Sequence, residues 1–207
     1  MLVVDVDHPA EEALARATSV IREGSLLIYP TDTLYALGGL AASAAVGARV
    51  RAAKGREEGK PLPLVAAGIE QARGLCSSWP PAADRLAERY WPGPLSLVVP
   101  ARADLPDEVT AGRGGVAVRV PARELTRRLC ALGPLISTSA NRAGQPPPRR
   151  CADAVAAVGG AAALALDGGP GRASSSTIVD LTGRVPRLVR EGPVAWQDVL
   201  ATLGVSS

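Results

Sequence analysis

Short apolar runs alternate with helical segments along this chain, and each run is cut off by proline, glycine or small hydroxyls. That punctuation constrains the fold more than any other feature. The runs at residues 2–6, 26–29, 62–67, 95–99, 116–120, 135–138, 163–166, 176–181 and 186–189 have the length and the β-branched content of strands. Between them, Glu11 and Glu12 open a helix that Gly24 closes, and Ser43 caps a second helix that Gly55 stops. Further helices are predicted over 69–76, 82–90, 124–132, 152–158 and 196–203, and residues 101–115 read as loop. Several strands follow one another across short turns, so the fold class is α/β (α+β) with a mixed sheet. Pro61 and Pro63 place the 62–67 run at an edge or at a strand beginning, away from a central position. No linker divides the 207 residues, which points to one domain over 1–207.

Chemistry collects where strands end. The run 26–29 stops in Pro30-Thr31-Asp32-Thr33. Arg119 closes another, and Ser137, Ser139 and Asn141 follow a third. Ser176 and Thr177 open a fourth, and Arg190 ends a fifth. One hydroxyl at a strand end is an ordinary turn residue. Their repetition points to a binding cleft, because α/β folds bind ligands where strands end. No Walker sequence and no GxGxxG follows any strand, which sets aside the two familiar nucleotide folds.

A second cluster is the run KGREEGK at 54–60. Of the 23 lysine and arginine side chains, only Lys54 and Lys60 are lysine, and both fall in this window. Cations on glycine-rich backbone suit a polyanion such as a nucleoside triphosphate. A helix C-terminus carrying cations that favour the macrodipole would look the same.

The totals exclude more than they identify. Three scattered cysteines and a single histidine, His8, leave no zinc pattern and fit a reducing, cytoplasmic compartment. No signal peptide and no membrane-length apolar run is read. A net charge of +3 and 3% aromatic residues do not make a nucleic-acid face with stacking platforms.

Seven segments in order carry a resemblance: YPTDTLYALG, KGREEGKPL, WPGPLSLVV, VAVRVP, ISTSANRAG, DGGP and SSTIVDLTG…LVREG. The chain resembles the YrdC/TsaC family of threonylcarbamoyl-AMP synthases over roughly residues 12–192. The resemblance implies a twisted, open-barrel-like mixed sheet with flanking helices. It also implies a nucleotidyltransferase that joins L-threonine, bicarbonate or CO2 and ATP into threonylcarbamoyl-adenylate, for threonylcarbamoyladenosine in tRNA. By motif position, Thr33, Arg119, Ser137 and Ser176 would hold threonine. Arg56, Lys60, Ser139, Asn141 and Arg190, with backbone at Gly115, would hold ATP. Lys54 and Arg56 would supply the catalytic charge, and Mg2+ would ride on the phosphates rather than in a carboxylate cage. Arg119 has the planar fork to grip a carboxylate with two parallel hydrogen bonds. Implied partners are the downstream threonylcarbamoyl-transfer proteins and a weak tRNA contact, with no membrane.

Departures from the family pattern are Leu34 and Ala36 in the first motif, Val65 where many members carry a histidine, and Pro147 where a serine is expected. They keep two rivals in view: a paralogue acting on another amino acid or carbamoyl acceptor, and a non-catalytic RNA-binding module. The longer family form carries an extra C-terminal domain, and the single-domain form is the one expected here.

Overall fold

The computed structural model describes residues 1–6, 10–55, 59–172 and 174–205. The strands fall into two mixed sheets. In the first, β1 (Leu2–Asp5), β9 (Leu164–Asp167), β2 (Leu27–Pro30), β3 (Tyr35–Gly38) and β8 (Thr138–Ser139) lie side by side in that order. In the second, the order is β11 (Arg187–Arg190), β10 (Thr177–Asp180), β5 (Leu95–Pro100), β6 (Gly115–Arg119), β4 (Leu64–Val65) and β7 (Leu135–Ile136).

Both sheets are sorted by the two-residue side-chain period of a strand. In β2, Leu27 and Tyr29 face a core with Ala13, Ala17 and Ile21 of helix α1 (Ala10–Arg22). Ile28 faces the opposite core, with Val46 and Val50 of α2 (Ala44–Lys54) and Ala154 of α7 (Cys151–Val158). A strand buried on both faces must be apolar throughout, and all four residues of β2 are buried. The second sheet is one-sided. Leu95, Leu97, Val99, Val116, Val118 and Val179 enter the core, under α4 (Pro81–Tyr90) and α8 (Trp196–Leu203). The alternate residues, Ser96, Ala117, Arg119 and Ile178, face a cavity.

The helix signals in the sequence match the local geometry. Ser43 accepts a hydrogen bond from the Val46 amide at 3.3 Å, and Gly55 closes α2 at φ 58°, a left-handed value that suits glycine. Three expectations differ. First, the 135–138 run is not one strand: β7 belongs to the second sheet and β8 to the first, so residues 135–139 stitch the sheets together. The backbone of β3 meets this stitch so closely that a Cβ at Gly38 would sit 1.6 Å from the Ile136 carbonyl oxygen. Second, β4 is flanked by β6 and β7 and so is interior, although Pro61 and Pro63 do stand before its beginning, as expected. It begins just after Pro63, whose carbonyl accepts from the Ser137 amide at 2.8 Å, so the missing proline N–H is no loss there. Third, the 101–115 loop contains a short helix, α5 (Asp107–Thr110).

Candidate active site

The stitch between the sheets closes a cavity of about 240 Å³. Thr31, Thr33 and Ser137–Ser139 line it from the first sheet's side, and Ser96, Arg119, Ser176 and Arg190 from the second. It therefore gathers six residues singled out in the sequence: Thr33, Arg119, Ser137, Ser139, Ser176 and Arg190. Local structure explains each placement. Arg119 is the last residue of β6 and points away from the core because Val118 points into it. Ser137 sits at the crossing between β7 and β8, where the chain leaves one sheet for the other. The Tyr29 hydroxyl, buried and raised well above the ordinary tyrosine pKa by that burial, anchors the crossing by donating to Ile136 O at 2.8 Å.

Arg119 is buried and already engaged. Its Nη1 donates to Asp32 Oδ1 at 2.8 Å, and its Nη2 to Thr33 Oγ1 at 3.3 Å. The Thr33 hydroxyl is 2.9 Å from that of Thr31. One arm of Arg119 is thus held by Asp32, and the other lies beside the Thr33 hydroxyl. Val65 lies directly opposite Arg119 in the β4–β6 register and also lines the cavity. Where a histidine would offer hydrogen bonds, Val65 offers only methyl groups.

On the other wall, the Ser176 hydroxyl is 2.8 Å from that of Ser96 and accepts from Arg190 Nη2 at 3.2 Å. Arg190 also donates from Nε and Nη2 to the Ser176 carbonyl, at 3.0 and 2.8 Å. The residue as a whole is exposed on an edge strand, yet its guanidinium titrates below the ordinary arginine value. Partial burial is the larger cause and the charge of Arg119 the second. Two guanidinium groups thus share one cavity, an arrangement that an anionic ligand relieves.

The cationic run behaves differently. Lys54 is buried and does not line the cavity. Its ammonium faces the carbonyl oxygens of Ser139 and Asn141, the latter at 2.6 Å, and Asn141 Oδ1 at 3.2 Å. Asn141 in turn donates to the carbonyls of Arg142 and Gln145. Lys54 therefore ties the end of α2 to the SAN turn and holds Ser139 against the cavity. Asn141 borders a second hollow, of about 660 Å³, that also contains Pro147. Lys60 is exposed beside Pro61, which does line the cavity. Gly115 stands at the far end of β6, about 13 Å from Arg119 along the strand. Arg56 and His8 lie outside the described residues. Among the described residues no group of three or more His, Cys, Asp or Glu side chains is placed to hold a metal ion. Nor is any helix there long and apolar enough to cross a membrane.

A family model for Sua5, YciO and YrdC proteins, described as "Telomere recombination", matches residues 19–192. The chain belongs to this Sua5/YciO/YrdC family. It is 36% identical over 207 residues to a threonylcarbamoyl-AMP synthase of Pyrococcus abyssi, covering 98% of this chain and 61% of that protein. With a threonylcarbamoyl-AMP synthase of Thiobacillus denitrificans it shares 38% identity over 171 residues, or 81% of this chain and 90% of the relative. The solved structure of P. abyssi Sua5 complexed with L-threonine matches at TM-score 0.94 and 35% identity, over 99% of this chain and 61% of that one. The Sua5/YciO/YrdC chain thus spans about 61% of the P. abyssi protein's length and most of the T. denitrificans one.

Sequence reasoning gives no role to two residues at or behind this cavity. Ser96 was hidden inside the strand run LSLVV, where its signal is a lone polar residue on the off-core face. Asp32 was quoted only as part of a turn, yet it makes the ion pair with Arg119.

Proposed function

We propose that this chain makes L-threonylcarbamoyl-adenylate and pyrophosphate from L-threonine, bicarbonate or CO2, and ATP. It does so as a single YrdC-like domain in the cytoplasm, feeding threonylcarbamoyladenosine formation in tRNA. The observation that carries this reading is the convergence of Thr33, Arg119, Ser137 and Ser176 with Ser139 and Arg190 around one cavity. Its volume, about 240 Å³, is below the roughly 300–1,000 Å³ of sites for drug-sized ligands. It suits an amino acid. The nucleotide would extend from the Ser139 and Arg190 side toward Lys60.

The chemistry needs no protein nucleophile. The threonine amine forms a bond to the carbon of CO2 and loses a proton, giving a carbamate. A carbamate oxygen then attacks the α-phosphorus, the bond to the β-phosphate bridge breaks, and pyrophosphate leaves with the electron pair. The protein contributes position and charge. The Arg119 arm beside Thr33 meets the amino-acid carboxylate, and the surrounding hydroxyls orient the threonine side chain. A site that satisfies a substrate hydroxyl rejects analogues lacking it far better than an apolar pocket does. Arg190, Arg56 and Lys60 counter the phosphate charge. Lys54 acts by holding Ser139 in place. Magnesium enters on the triphosphate as part of the substrate.

Val65 beside Arg119 favours one alternative, a paralogue with a different amino acid. Both readings are tested by pyrophosphate release from ATP and bicarbonate with each amino acid in turn. Threonine-dependent release is expected. Release that ignores threonine, or appears only with another amino acid, would overturn the proposal.

A further inference from the structure

Asp32 stands behind the cavity and not in it. Thr31, Thr33 and Arg119 line the cavity, whereas Asp32, between the two threonines, does not. The turn that presents it is locked by its own bonds. Thr31 Oγ1 donates to Leu34 O at 2.8 Å and accepts from the amides of Thr33 and Leu34 at 3.1 and 3.2 Å. The two threonines line the cavity, while Asp32 between them reaches Arg119 from outside that lining. There it meets Arg119 Nη1 at 2.8 Å, which also approaches Gly93 O at 3.5 Å. The pair is nearly dry, with side-chain exposures of 7% for Arg119 and 12% for Asp32. Asp32 is also the one carboxylate that pairs with Arg119 among the described residues.

We propose that Asp32 is a positioning residue for amino-acid recognition: by holding one arm of Arg119 it fixes the other beside the Thr33 hydroxyl. Without Asp32, the guanidinium gains freedom to turn toward Arg190's side of the cavity, where a phosphate would attract it. Asp32 thus keeps the carboxylate-binding end of the site separate from the phosphate-binding end.

This inference rests on the proposed threonine-dependent reaction, and its test separates the two. In the full chain, Asp32→Ala is expected to raise the threonine KM by about tenfold or more, the scale of a lost hydrogen bond to a charged group. The ATP KM and kcat are expected to stay within about twofold. Asp32→Asn, whose amide oxygen can accept the same bond, is expected to return the threonine KM to within about threefold of the parent. An unchanged threonine KM in Asp32→Ala, or equal rises for threonine and ATP, overturns the inference. If Asp32→Ala does not fold, Asp32→Asn decides: a rise as large as that of Arg119→Ala overturns it. If the parent chain shows no threonine-dependent release, the functional reading fails, and crystal structures then judge positioning alone. An Arg119 guanidinium that stays beside Thr33 in Asp32→Ala overturns the inference, and a displaced one supports it.

Discussion

Arg119 and Lys54 are both buried cations at the ends of secondary-structure elements, and the structure uses them in opposite ways. Arg119 ends a strand, pairs with a carboxylate and keeps one face on the cavity. Lys54 ends a helix, points at the oxygens of Ser139 and Asn141, and has no face on the cavity. A buried charge must be satisfied in either case. Aspartate satisfies Arg119 while leaving part of a five-donor fork for a ligand. The compact lysine ammonium directs donors at the Ser139–Asn141 turn and ties it to the end of α2.

Four substitutions would break or sharpen this contrast. The largest effect is expected at Arg56. If Lys54 is a clamp, the phosphate charge of the KGR run falls to Arg56, and Arg56→Ala should lower kcat for pyrophosphate release by about 10²–10³-fold. A near-normal kcat would return that task to Lys54. Next, Arg119→Lys keeps the charge and loses the fork. It should raise the threonine KM by about 10²-fold while the ATP KM changes by less than about threefold.

Lys54→Ala should act mainly on the fold. It strands the oxygens that now accept from the ammonium, and denaturant unfolding should report a loss of about 2–4 kcal/mol. A thiol probe reads the same difference. Burial pushes Cys130 up to about 12, and burial with Asp167 nearby pushes Cys151 up to about 11. Both stay protonated at pH 8 while folded. Stability from these thiols is full below the unfolded thiol pKa and falls as pH rises toward the folded values. Iodoacetamide at pH 8 should label Lys54→Ala faster than the parent, and Arg119→Lys no faster. Equal labelling of all three would count against the clamp. The smallest effect belongs to Ser96→Ala, which removes one partner of Ser176. A threonine KM raised about threefold to tenfold is expected, from a net hydrogen bond of about 1 kcal/mol.

Much of this was legible in the letters because it is local. The cap and stop of α2 follow from Ser43 and Gly55, and α8 spans the predicted residues 196–203. The polar strand ends that line the cavity were visible because the alternation on β6 puts valine inward and arginine outward, and because Ser176 stands just before β10. What was not legible is non-local. The four residues of β3 follow a turn and end in glycine, so no strand is read there, and only their pairing with β2 and β8 makes them one. The split of 135–139 between two sheets depends on both partners being present. The roles of Asp32 and Lys54 depend on atoms that are 87 and 85–87 residues away in sequence.

The most direct measurement is a crystal structure of the chain soaked with L-threonine. The account predicts the amino acid in the cavity between the sheets, its carboxylate on the Arg119 arm beside Thr33 and its side-chain hydroxyl among the hydroxyls of Ser137 and Ser176. Threonine bound elsewhere, or held in that cavity with its carboxylate away from Arg119, would contradict it.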